Sequence, residues 1–194
     1  MKIAVLGWGS LVWNPKRESV ALNIGDDKWS SDGPALPVEF ARISKDKRLT
    51  LVLFPAGEKV TVLWAIMAPK NLDEAIDNLR EVERIPTSSK DEIGYVNLWS
   101  GGHRSGVVSD IVDDIRQWGY TKEVGAVIWT DLPPNFKEKT GTEFTEDNVI
   151  SYLNRIQDDS KKKAEEYIRR APEQIRTRFR SAIERKLGWF PAQT

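Results

Sequence analysis

The spacing of apolar residues divides the chain into a strand-rich first part and a helical last part. Ile3 to Leu6 is an uninterrupted apolar run that ends at Gly7, which predicts a buried strand followed by a tight turn. Further apolar runs bounded by turn residues predict strands at Val38 to Ile43, Leu49 to Phe54, Lys59 to Met67, Gly94 to Trp99 and Val124 to Thr130. The short turns within 38–67 predict an antiparallel meander.

Apolar residues at spacings of three and four mark the helices. The predicted helices run from a cap at Asn71 or Asp73 to about Arg84, from Val107 to Trp118, from Glu146 to about Arg170, and from beyond Pro172 to Lys186. Strands and helices do not alternate regularly, which argues against a doubly wound parallel sheet. We therefore expect an α+β fold, a small mixed or antiparallel β-barrel flanked by helices, at residues 1–140. A helical C-terminal extension at 141–194 packs on it.

Composition is ordinary for a globular protein, with 40% apolar and 30% charged residues. The absence of cysteine excludes disulfides, thiolate nucleophiles and cysteine zinc sites. Since the chain carries no signal-peptide pattern and no long apolar run, we expect a cytoplasmic protein without a membrane partner.

The charge distribution argues against a nucleic-acid partner. The formal net charge is zero, although residues 151–194 carry five more basic than acidic residues. No aromatic ladder or groove-reading motif accompanies this excess, so a solvated helix surface is favoured over a nucleic-acid or protein adaptor. A homodimer stays an open alternative.

The loop Gly7-Trp8-Gly9-Ser10-Leu11 follows a strand, as a dinucleotide-binding loop would. Val12 stands where the third glycine of that motif is needed, and Pro15 lies where the following helix would form, so we expect no nucleotide cofactor. Glycines that flank one bulky residue also let successive N–H groups turn toward one point, which suits a carboxylate or a polarised carbonyl oxygen. The residues alone leave this anion site and a plain tight turn as equal alternatives.

The segment Val5 to Pro15 resembles the opening of the γ-glutamylcyclotransferase superfamily, especially its glutathione-degrading branch, in which a strand ends in a Tyr-Gly-Ser-Leu-like loop. Two further segments match in the same order. Phe54 to Val60 is similar to the family's hairpin, and Leu79 to Glu83 is similar to the helix end that carries its catalytic glutamate, ahead of Gly94-Tyr95-Val96.

Three residues depart from the family pattern. Trp8 stands in place of tyrosine, Arg80 in place of aspartate, and Val62 in place of glycine. These departures leave the fold implied by the resemblance intact and bear on the substrate.

The resemblance implies a cofactor-independent enzyme without a metal. It cleaves a γ-glutamyl amine or peptide by attack of the α-amine on the side-chain carbonyl, which releases 5-oxoproline. Glu83 is implied as general acid and base, while the backbone of Gly7, Trp8, Gly9, Ser10 and Leu11 binds the substrate. We expect the Tyr95 hydroxyl at the pocket wall, and Trp13 and Trp29 beside the loop.

Two alternatives accompany this hypothesis. Glu83 is otherwise an exposed helix-end residue paired with Arg80 or Arg84. Glu81 lies about 200° away around the helix, so only one of the two glutamates can face a given pocket. A non-catalytic binding module for a small carboxylated metabolite on the same fold is the alternative function.

Overall fold

The fold joins two main β-sheets to helices, and a computed structural model describes it over residues 1–14, 16–17, 20–25, 28–89 and 92–192. The strands are β1 (Ile3–Gly7), β2 (Lys16–Arg17), β3 (Val20–Ala21), β4 (Ala35–Ile43), β5 (Leu49–Leu53), β6 (Lys59–Thr61), β7 (Leu63–Ile66), β8 (Ile93–Asn97), β9 (His103–Arg104) and β10 (Ala126–Thr130). The helices are α1 (Ser10–Trp13), α2 (Leu72–Val82), α3 (Ser109–Thr121), α4 (Phe136–Thr140), α5 (Glu146–Arg155), α6 (Asp158–Arg170) and α7 (Arg178–Leu187). The predicted α+β class is confirmed.

β1 lies in the middle of a five-stranded sheet with the order β7-β1-β10-β8-β9. It runs parallel to β10 and antiparallel to β7, and all of its residues are buried. Because side chains alternate along a strand, Ile3 and Val5 join the apolar cluster of α2, while Ala4 and Leu6 join the cluster of the C-terminal helices. The strand is therefore fixed from both faces, and it holds the loop that follows Gly7.

β4 is the central strand of a three-stranded sheet with the order β5-β4-β6. β4 and β5 form the predicted hairpin, but the meander prediction is wrong in its third strand, because β6 pairs with β4 and not with β5. The run from Lys59 to Met67 is divided at Val62, whose N–H donates to Pro34 O (3.1 Å) and whose carbonyl accepts from Gly33 N (3.1 Å). After Val62, β7 pairs with β1 in the other sheet.

The two sheets are continuous through the backbone at Val62. Over the described residues, no hydrogen-bonded ladder closes the five-stranded and three-stranded sheets into one ring. The closed barrel therefore stays a prediction.

α2 packs on the five-stranded sheet and places the end of its last turn at the sheet's edge. Of the two predicted caps, Asn71 is the one used, since its side-chain oxygen accepts the N–H of Asp73 (2.8 Å). The buried face of the helix consists of Ala75, Leu79 and Val82. The helix ends as Arg84 takes a left-handed conformation with φ 55°, close to the predicted end.

The C-terminal helices follow the predicted pattern with one additional break. The break at Pro172 is confirmed, since α6 ends before it and α7 begins after it. A second break separates α5 from α6 at Ile156, and it is followed by a left-handed Asp158 with φ 53°. Apolar spacing continues through Ile156, which is why the pattern predicts one unbroken helix. The short helix α4 was not predicted either.

One apolar cluster joins these helices to both sheets. It includes Leu6, Phe40, Leu51 and Trp129 from the strands and Val149, Leu153, Ile168, Phe179 and Ile183 from the helices. The described helices α5, α6 and α7 therefore pack on the strands of both sheets through one continuous core.

A buried carboxylate ties α7 to β4. Glu39 is only 3% exposed, and its oxygens accept the Thr177 hydroxyl (2.5 Å), the Phe40 amide (2.8 Å) and the Phe179 amide (3.2 Å). Thr177 is also the N-cap of α7 and accepts the Arg180 amide (3.1 Å). Burial raises the pKa of Glu39 even though these three hydrogen bonds favour the ionised form.

We expect Thr177→Val to destabilise the fold by about 2–3 kcal/mol, because it removes a cap and one donor to a buried carboxylate. Thr145→Val is the matched control. Thr145 caps α5 through the Asn148 amide (3.3 Å) and is exposed, so we expect a loss of only about 1 kcal/mol. Urea unfolding measures both, and equal losses would contradict the link between Thr177 and Glu39.

The raised pKa of Glu39 predicts a pH dependence. The folded protein holds this proton more tightly than the unfolded chain, so ionisation of Glu39 lowers the free energy of unfolding as the pH rises from the ordinary pKa of 4.5 through the raised folded value. Glu39→Gln lacks this loss. The free energy of unfolding of Glu39→Gln minus that of the wild type should therefore rise as the pH increases across that window. A difference that stays constant or falls would contradict the raised pKa of Glu39.

Candidate active site

A cavity of about 610 Å³ lies where five parts of the chain meet. Its walls come from β1 and the loop after it, the segment after α2, the β4–β5 hairpin, the end of β10 and α6. They contribute Leu6 to Leu11, Glu83 to Pro86 with Ser89 and Glu92, residues between Arg42 and Val52, Thr130 with Leu132, and Tyr167. A volume of this size accommodates a small molecule.

The loop after β1 turns directly into the one-turn helix α1. The Gly9 carbonyl accepts the Val12 amide (3.1 Å), and the Ser10 carbonyl accepts the Asn14 amide (2.7 Å). Ser10 and Leu11 are buried, so the turn is held firmly against the core.

Both glycines of the loop are required by what packs on them. A β-carbon at Gly7 would lie 2.6 Å from the ring of Trp29, which no real side chain tolerates. A β-carbon at Gly9 would overlap the Tyr167 hydroxyl. The backbone at Gly9 has a negative φ of −130°, so space and not backbone conformation demands glycine there.

Trp8 and Tyr167 bind the same residue of β5. The Trp8 indole N–H donates to the Leu51 carbonyl (3.3 Å), and the Leu51 amide donates to the Tyr167 hydroxyl (3.3 Å). Both aromatic side chains are buried, at 4% exposure each. β5 is an edge strand within the described part of the chain, where no strand pairs with Leu51 on that side, and these two side chains bind its backbone groups instead.

Glu83 lines the cavity from the end of α2. It is the C-cap residue, its amide donates to the Leu79 carbonyl (3.0 Å), and its side chain is half-buried. Glu81 is exposed and does not contribute to the cavity wall. Of the two glutamates at this helix end, the structure therefore places Glu83 at the cavity, while Arg80 pairs with Asp77 (3.0 Å).

The β4–β5 hairpin adds charge to the wall. Arg42 donates to the Pro133 carbonyl (2.6 Å), and Arg48 donates to Asp46 (2.9 Å), which also accepts the Ser44 hydroxyl (2.6 Å). Partial burial pulls the pKa of Asp46 upward, but the hydrogen bonds from Ser44 and Arg48 outweigh it and hold that pKa below its usual range. Asp46 therefore balances the charge of Arg48, while Arg42 brings a positive charge that a neutral carbonyl holds in place.

Six of the seven site residues expected from the sequence line this cavity: Gly7, Trp8, Gly9, Ser10, Leu11 and Glu83. Tyr95 is not among the described residues that line it. Alternation along β8 turns Ile93 and Tyr95 toward the α2 cluster and Val96 toward the other face, and the Tyr95 ring lies 5.2 Å from the Arg104 guanidinium.

Trp13 and Trp29, expected beside the loop, lie behind the cavity wall. Trp29 covers Gly7, and Trp13 packs edge-on against Tyr167 with ring centroids 6.3 Å apart. The Arg170 guanidinium lies 4.3 Å from the Trp13 ring. These tryptophans support the wall instead of lining the cavity.

Sequence reasoning missed Tyr167, Arg42 and Arg48 as cavity residues. Tyr167 lies on α6 with the buried Ala164 and Ile168, at a spacing typical of any helix face that packs on a core. The two arginines depend on how β4 pairs with β5. Only the tertiary structure brings the three together.

In comparisons with known proteins, no family model, no curated protein and no solved structure matches the chain. Within the part of the chain that the structure describes, no helix has the length and apolar character needed to cross a membrane. The described residues also contain no cluster of three or more histidine, aspartate or glutamate side chains suited to a metal ion.

We expect Gly9→Ala to destabilise the wild type by about 1–3 kcal/mol, because the added methyl group overlaps the fixed Tyr167 hydroxyl. In a Tyr167→Phe background the nearest ring atom is 3.3 Å away, so the same change should cost less by about 1 kcal/mol. Chemical denaturation of the four proteins of this double-mutant cycle gives the coupling. Additive losses would show that the hydroxyl does not press on Gly9.

Proposed function

We propose that the protein is a γ-glutamyl amine or peptide cyclotransferase that releases 5-oxoproline, with Glu83 as general acid and base and no cofactor. One observation carries the proposal: Glu83 and the Gly7 to Leu11 backbone line the same cavity of about 610 Å³. The two segments follow different elements, β1 and α2. The resemblance assigns proton transfer to Glu83 and substrate binding to the loop backbone.

The reaction needs a proton acceptor beside the substrate's α-ammonium group. Once that group has lost a proton, its nitrogen attacks the γ-carbonyl carbon, and a new C–N bond closes the five-membered ring. The original amide C–N bond then breaks, and the leaving amine takes a proton. A carboxylate at Glu83 removes the first proton and returns it to the leaving nitrogen. The ring nitrogen gives up a second proton after the attack, and Glu83 carries it to the released amine. The ring thus keeps the single N–H of 5-oxoproline, the amine departs as an ammonium ion, and no proton is lost overall.

The loop supports the reaction by binding negative charge. By the resemblance, the backbone from Gly7 to Leu11 would bind the substrate's α-carboxylate or the oxyanion that forms on the γ-carbonyl. Arg42 adds positive charge to the same cavity, where Asp46 balances the charge of Arg48. Because the attack is intramolecular, holding the glutamyl chain in a curled form supplies much of the acceleration.

We extend the proposal to the fold. The five-stranded and three-stranded sheets would form the wall of the small barrel that the resemblance implies. At the outer edge of β5, Trp8 and Tyr167 occupy the place of a neighbouring strand. The hydrogen bonds of both side chains to Leu51 support this placement of Trp8 and Tyr167 along β5.

Glu83→Gln tests the chemistry. We expect the release of 5-oxoproline from a panel of γ-glutamyl amines and peptides to fall by about 100-fold or more, because an amide cannot shuttle the proton. Glu81→Gln, the same change at the exposed neighbour, should leave the rate within about twofold, which corresponds to under 0.5 kcal/mol. Full activity in Glu83→Gln would contradict the proposed role.

The alternative is a non-catalytic binding module for a small carboxylated metabolite. Trp8 favours this binding module. Its indole stands in place of the family's tyrosine, donates to the Leu51 carbonyl and brings no hydroxyl to the loop. Thermal stabilisation of the wild type by γ-glutamyl compounds, without release of 5-oxoproline, would support the binding module against the enzyme.

A further inference from the structure

We propose that Arg42 binds a carboxylate on the leaving group, so that γ-glutamyl amino acids and peptides are better substrates than γ-glutamyl amines. This inference rests on the proposed cyclotransferase function. It adds a residue that selects between the two substrate classes of that proposal.

Arg42 is a half-buried cation that two elements hold at the cavity wall. On β4 it pairs with Thr50 of β5, which lines the same cavity. Its guanidinium donates to the Pro133 carbonyl (2.6 Å), which follows β10. A guanidinium that is already held in this way loses little conformational freedom when a ligand binds.

The charge of Arg42 is not balanced by a carboxylate among the residues that the structure describes. Three described carboxylates line the cavity: Asp46, Glu83 and Glu92. None of these three forms an ion pair with Arg42, and Asp46 pairs with Arg48 instead (2.9 Å). The Pro133 carbonyl is neutral and takes only one of the five N–H groups of a guanidinium. Arg42 therefore brings both positive charge and further donors to a group bound in the cavity.

The substrate classes differ in the anion that they offer to this cation. Every γ-glutamyl compound has an α-carboxylate, but the resemblance assigns the glutamyl group to the backbone from Gly7 to Leu11. A leaving amino acid or peptide carries a second carboxylate, whereas a simple leaving amine carries none. A cavity of about 610 Å³ has room for the glutamyl group and for such a leaving group. Charge-assisted hydrogen bonds from Arg42 would hold this second carboxylate.

A matched pair of substrates tests the inference on the full chain. γ-Glutamylalanine and γ-glutamylethylamide differ only in the carboxylate of the leaving group. We expect the wild-type kcat/KM for 5-oxoproline release to be about 10- to 100-fold higher for γ-glutamylalanine, the range that a hydrogen bond to a charged group gives. A wild type that turns over the two compounds equally well would overturn the inference and leave the proposed function standing.

Arg42→Gln tests the residue, because it removes the charge and keeps a polar side chain. We expect the ratio of the two kcat/KM values to fall to within about threefold of one, while Arg42→Lys keeps part of the preference. Both substrates are measured on the same protein sample, so the ratio does not depend on the folded fraction. An unchanged ratio in Arg42→Gln, with no loss or with equal losses on both substrates, would overturn the inference.

Arg104→Gln is the matched control. Arg104 is also half-buried and also donates to a backbone carbonyl, that of Ile93 (3.0 Å), but it is not among the described residues that line the cavity. Its ratio should stay within about twofold of the wild-type ratio. A ratio that falls as far as in Arg42→Gln would show that the preference does not come from Arg42 at the cavity. A wild type that releases no 5-oxoproline from any γ-glutamyl compound would overturn both the inference and the proposed function.

Discussion

The backbone of Leu51 is the point on which the candidate site depends. Leu51 lies on β5 at the edge of the three-stranded sheet, and among the described residues no strand pairs with its N–H and C=O. Trp8 from the loop and Tyr167 from α6 bind these two groups in the core, where an unpaired backbone group would be costly. Three parts of the chain that are distant in sequence are therefore locked together around one cavity.

The local elements could be read from the sequence because their signals are local. The buried β1 and the Asn71-capped α2 follow from apolar spacing and capping chemistry. The pairing of strands could not be read in the same way. β6 has the composition of a third meander strand, but it pairs with β4, and Val62 continues that pairing to Gly33 and Pro34 in a distant segment.

The candidate site, like the fold, could be predicted from the sequence only in part. The glycine loop and Glu83 were identified by their resemblance to a family, and both line the cavity. Tyr95 was expected at the cavity and lies elsewhere. The alternation of side chains along β8 shows which residues share a face of the strand, but it does not show which face borders a cavity. Tyr167 has the spacing of an ordinary core residue on α6, so its place at the loop follows only from the packing of the C-terminal helices.

A crystal structure of the protein with bound 5-oxoproline would test the central claim most directly. The account predicts that the product lies in the cavity with its carboxylate on the backbone N–H groups between Gly9 and Leu11 and with its ring nitrogen facing Glu83. Binding at another surface, or in this cavity with the Glu83 carboxylate turned away into solvent, would contradict it.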